Sequence, residues 1–138
     1  MKKSLVTLVF LFTSLLTFSQ EKLPNTLFTV GHTFNNDISL SIGGRTFKGK
    51  DLFISYDHLY NLNTKLQANY INIGIGNHKQ IIACRYGAVT EPYEHSHIHH
   101  TDYGIEYLWI YPKYERNLVY GLTYTKKKGF GIKLGILF

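Results

Sequence analysis

The chain has 138 residues, with 15 basic and 9 acidic side chains and a formal net charge of +6. The excess is mild and lacks the interleaved basic and aromatic groove of a nucleic-acid binder, so that class is set aside. Cys84 is the only cysteine, which excludes an internal disulfide and leaves stability to packing and strand pairing.

The first 19 residues have the layout of a secretory signal peptide. Lys2 and Lys3 form a basic start, Leu5 to Phe18 is an apolar run broken only by Thr and Ser, and Ser19-Gln20 offers a small residue at the cut. The apolar stretch is short for a membrane span, and nothing after it is long enough for a transmembrane helix. Cleavage removes two lysines and leaves 13 basic against 9 acidic residues, about +4 by formal count. Residues 20–138 read as a single domain.

That domain divides into eight short strand-like segments, punctuated by Gly, Asn and Asp: Thr26–Phe34, Asp37–Gly43, Asp51–Tyr60, Lys65–Ile75, Lys79–Val89, Asp102–Tyr111, Arg116–Thr125 and Gly129–Phe138. No segment shows a capped helical period. In the third, Leu52, Ile54, Tyr56, His58 and Tyr60 share a face. The fourth changes face near Tyr70, which suggests a bulge or a misplaced boundary. In the sixth, Tyr103, Ile105, Tyr107, Trp109 and Tyr111 oppose Gly104, Glu106, Leu108 and Ile110. In the last, Phe130, Ile132, Leu134, Ile136 and Phe138 oppose Gly131, Lys133, Gly135 and Leu137.

The expected fold is therefore an all-β, eight-stranded, antiparallel up-and-down barrel. Its interior is just wide enough for side chains to fill. Stacked Tyr, Trp and Phe would crowd that space, whereas Gly, Thr, Ala and a few charges fit it. The aromatic faces are thus expected to point outward into lipid, making the barrel transmembrane. The runner-up is a soluble exported barrel with the aromatics inside, binding an apolar ligand. In the first arrangement Arg85, Glu106 and Lys133 point into the barrel. Arg85 and Glu106, on neighbouring strands, are natural partners in an interior ion pair. Cys84 would face lipid as a small hydrophobe.

The signal peptide, the eight alternating segments and the ending Gly135-Ile136-Leu137-Phe138 resemble the small eight-stranded outer-membrane proteins of Gram-negative bacteria. That resemblance implies an outer-membrane location, contact with membrane lipid and lipopolysaccharide, and recognition of the last strand by the barrel-assembly machinery. It places the N-terminus and the turns at Gly76-Asn77-His78 and Pro112-Lys113-Tyr114 in the periplasm. A structural or surface-interaction role follows, rather than a catalytic one. Lys126-Lys127-Lys128, on the last outside connection, reads as a solvated turn or a contact for anionic headgroups.

The connection between the fifth and sixth segments, Glu91 to Asp102, is the longest and faces outside in this arrangement. His95, His97 and His99 alternate and would share one side of an extended chain; Glu94 or Asp102 could complete a shell for Zn or another divalent transition metal. The composition suits metal, but no HExxH or CxxC spacing defines a site. A plain solvated loop is the alternative. Some eight-stranded barrels deacylate lipid A with a His-x-Ser motif followed by Asn. Here the corresponding stretch is His97-Ile98-His99-His100. Ser96 lies between His95 and His97, and strand neighbours point to opposite faces, a poor setting for a serine nucleophile and its base.

Overall fold

The computed structural model describes residues 26–45, 51–93, 96–113 and 116–138. The proposed signal peptide lies outside them. Among the described residues every regular element is a strand: β1 (Thr26–Thr33), β2 (Asp37–Arg45), β3 (Asp51–Asn61), β4 (Gln67–Gly76), β5 (Gln80–Tyr93), β6 (Ser96–Lys113), β7 (Arg116–Thr125) and β8 (Gly129–Leu137). Each strand pairs antiparallel with the next, and β1 pairs with β8 to close the barrel.

The stagger of the closed sheet follows from the register. Direct neighbours run Thr26, Gly44, Ile54, Ile73, Cys84, Ile105, Tyr124, Phe130. Phe130 then accepts a hydrogen bond from the amide of Phe34, so one circuit returns to the first strand eight residues further on. Eight strands with a shear of eight tilt by about 36° and enclose a narrow interior filled by side chains.

Two expectations need correction. The face change near Tyr70 is not a bulge. β4 begins at Gln67, and its register with both neighbours is unbroken. Ala68, Tyr70 and Asn72 point inward; Ile71, Ile73 and Ile75 point outward. The long connection is also mostly not a loop. β5 continues to Tyr93 and β6 starts at Ser96, and these extensions pair with each other. β4 pairs with β5 only as far as Val89, and β7 pairs with β6 only from Gly104, so a two-stranded ribbon stands beyond the rim. Pro92 disguised it. A proline donates no ladder bond, but at this free edge no third strand asks for one.

Alternation sorts the residues as the closed barrel demands. Val30, Leu40, Ile54, Ile73, Ile105, Leu122 and Leu134 are exposed on the outer wall. Above them, at the end carrying the ribbon, Phe34, Tyr86, Tyr103, Tyr124 and Phe130 are exposed on the same wall; the Tyr124 and Phe130 rings lie 4.8 Å apart. Toward the other end, where Thr26 pairs with Phe138, Trp109 stacks on Tyr120 at 5.5 Å and touches Tyr107. Phe130 and Phe138 bracket β8, eight positions apart. At about 3.3 Å per residue and a tilt of about 36°, that is about 21 Å along the axis.

Inside, the lumen is layered. Leu27, Phe53, Ile81, Leu108, Ile110, Val119 and Leu137 form an apolar plug at the terminal end. A charged layer occupies the middle, and Leu59, Ala68, Tyr70 and Val89 cluster beyond it. Small residues make this possible. A Cβ on Gly135 would collide with the Phe28 carbonyl oxygen and the Thr29 side chain across the β1–β8 seam. Gly135→Val is accordingly expected to destabilise the folded barrel by about 1–3 kcal/mol, read as a lower urea midpoint.

Candidate functional site

The chemically loaded part of the lumen is the middle layer. Arg85 on β5 reaches Asp57 on β3 at 2.8 Å, with both side chains almost wholly buried. Lys133 on β8 contacts the same Asp57 oxygen and also Glu106 on β6. Two cations and two carboxylates thus close a chain of contacts that crosses the lumen. Buried charges are tolerated only when paired in this way. The structure places Arg85, Glu106 and Lys133 in the interior, but Arg85 pairs with Asp57 rather than with Glu106. In so narrow a barrel the available neighbours are those across the bore as well as those on the next strand. Asp57 escaped sequence reasoning although its signal was present. If Tyr56 and His58 face outward, the residue between them faces inward.

Two polar clusters finish the lumen at the ribbon end. Asp37 accepts hydrogen bonds from Thr33 Oγ1 at 2.7 Å and Asn61 Nδ2 at 2.9 Å, and pairs with Lys128 at 2.9 Å. Asp102 accepts from the Tyr70 hydroxyl at 2.7 Å and from the backbone amides of Tyr103 and Lys127. The Arg85 guanidinium lies 4.8 Å from the Tyr70 ring centre, so Tyr70 links this cluster to the charged layer. The lysine run of the β7–β8 turn is divided among separate tasks. Lys126 lies over the Tyr103 ring, Lys127 pairs with Glu91 at 2.7 Å, and Lys128 folds inward to Asp37.

The ribbon sorts the candidate metal ligands into two sets. His97 and His99 are exposed on the outward side of β6, across from Pro92 and Thr90. The Thr90 hydroxyl lies 3.1 Å from His99 Nδ1. His100 occupies the opposite side, 3.4 Å from Glu91, whose carboxyl is held below the usual carboxylate range chiefly by its hydrogen bond from Lys127. Asp102 shares that opposite side and is buried against Tyr70, so it does not converge with His97 and His99. Glu94 and His95 lie outside the described residues. Among the described residues no group of three metal-ligating side chains converges. Ser96 and His97 are successive strand residues and therefore face opposite ways.

One polar cluster sits on the outer wall. Asn69 Oδ1 accepts from the Tyr56 hydroxyl at 2.7 Å and lies 2.7 Å from His58 Nδ1, so three polar groups on β3 and β4 satisfy one another. Cys84 is also outward and exposed, with its thiol free. The fold and lumen together define a closed, side-chain-filled antiparallel barrel with an apolar exterior. No protein-family model matches the chain, and no curated protein or solved structure matches it either.

Proposed function

We propose that this chain is a small outer-membrane β-barrel with a structural or surface-interaction role, exported by the signal peptide at residues 1–19. The observation that carries this reading is the inversion of the barrel. Asp57, Arg85, Glu106 and Lys133 are buried in the lumen, while a belt of Val, Ile and Leu bounded by aromatics covers the outside. In water that belt would be an exposed apolar surface far larger than a soluble monomer carries. In a bilayer it is the expected lipid-facing wall, and its height of about 21 Å is close to the apolar band of about 25 Å seen in barrels of this kind. The Tyr56–Asn69–His58 cluster fits as well, since polar groups facing lipid must pair among themselves. The soluble reading loses its premise, because the aromatic faces point away from the lumen. Acyl hydrolysis at Ser96 finds no support in the placement of Ser96 and His97. With the termini in the periplasm, the ribbon stands on the outer side, and it is the part most available to a partner.

The test is fractionation of cells expressing the full-length chain, each fraction run boiled and unboiled on a gel. Recovery in the outer membrane with a boiling-dependent shift in mobility is expected. Recovery as a soluble periplasmic protein would overturn the proposal.

A further inference from the structure

We propose that the outward side of the β5–β6 ribbon is a divalent transition-metal site, with His97 and His99 as ligands and Thr90 as the group that positions His99. Two residues apart on one strand, the histidines project from the same side, their Cα atoms about 6.6 Å apart at about 3.3 Å per residue. Imidazole nitrogens bind such a metal at about 2.0–2.1 Å, so two side chains at this spacing can close on one ion as a chelate. The Thr90–His99 contact makes the arrangement more than a run of histidines. Thr90 is the direct cross-strand neighbour of His99, and its hydroxyl lies 3.1 Å from Nδ1. In the tautomer that donates Nδ1–H to that hydroxyl, the Nε2 lone pair is free and directed away from Thr90. Metal-binding histidines are usually held in this way, by a hydrogen bond at the other ring nitrogen. His100 is separated from the site by the alternation of the strand and is engaged with Glu91. Among the described residues these two are the ligands, and water or a ligand from another molecule can fill further positions. The preferred ions are those that favour imidazole, Zn²⁺, Cu²⁺ and Ni²⁺, over Ca²⁺ or Mg²⁺.

The site belongs to the ribbon and does not depend on membrane insertion, so the two proposals fail separately. The mobility shift reads the barrel and a metal titration reads the ribbon. The experiment is calorimetric titration of Zn²⁺ into the folded full-length protein, beside three variants whose far-ultraviolet circular dichroism matches that of the parent. His99→Ala is expected to weaken binding at least tenfold. Thr90→Val, which keeps the β-branched shape and removes the hydroxyl, is expected to weaken it by about 10- to 100-fold. His100→Ala is expected to leave affinity unchanged. No Zn²⁺ binding by the parent chain would overturn the proposal. So would an unaltered affinity in Thr90→Val, or a loss in His100→Ala equal to that in His99→Ala, because either marks nonspecific capture by a histidine-rich tract.

Discussion

Replacing Asp57 with alanine is expected to destabilise the barrel by about 3–5 kcal/mol, the usual cost of removing one member from a buried ionic group. One oxygen of Asp57 serves both Arg85 and Lys133. Without it, Lys133 keeps Glu106 while the Arg85 guanidinium loses its ion pair and stays buried. The loss should appear as a lower midpoint for conversion of the compact band to the unfolded band in urea. The partner variant separates charge from shape. Asp57→Ala combined with Arg85→Met leaves Lys133 with Glu106 and a balanced lumen, and is expected to recover much of the stability. If the single variant unfolds at the parent midpoint, the charged layer does not contribute as described.

Leu122→Arg is expected to cost about 2–4 kcal/mol in lipid vesicles, the depth-dependent cost of a cation facing the bilayer midplane. Leu122 is 49 % exposed and lies between Gly121 and Thr123, which pair with Lys133 and with Glu106. It therefore sits on the outer wall behind the charged layer, midway along the barrel. The same substitution at Phe34, 77 % exposed at the aromatic rim, is expected to cost only about 0–1 kcal/mol. Equal, small effects at both positions would mean that the belt is not embedded in lipid.

Much of the fold was legible because a closed sheet imposes one rule everywhere: each residue faces either the lumen or the outside. β7 has the bounds read from sequence, and the alternation over residues 103–111 of β6 and along β8 gave the inner faces there residue by residue. The first half was harder to read. In β4 the inward Tyr70 and the outward Asn69 invert the usual sorting of aromatic and polar residues, and each is satisfied by a partner distant in sequence, Asp102 and His58. Local pattern carries no trace of such partners. The ionic layer was half legible for the same reason. Arg85, Glu106 and Lys133 stand out as charges on otherwise small or apolar faces, but which carboxylate meets which cation depends on the shear of the barrel. In the histidine segment the expected alternation is seen at His97 and His99, but the segment was read as a loop, because Pro92 looks like a breaker when the absence of a third strand is unknown.

The seam between β1 and β8 has a kinetic consequence. It joins Leu27 to Leu137, whereas the other seven pairings are hairpins between consecutive strands. Hairpins form quickly from local contacts, but a junction between the two ends of the chain must wait until the intervening segments are in place. Until then β1 and β8 each present an open edge, the feature through which sheets pair with the wrong chain. The period before closure is thus when the molecule is most vulnerable to aggregation, and a chain cut short before β8 would remain in that state.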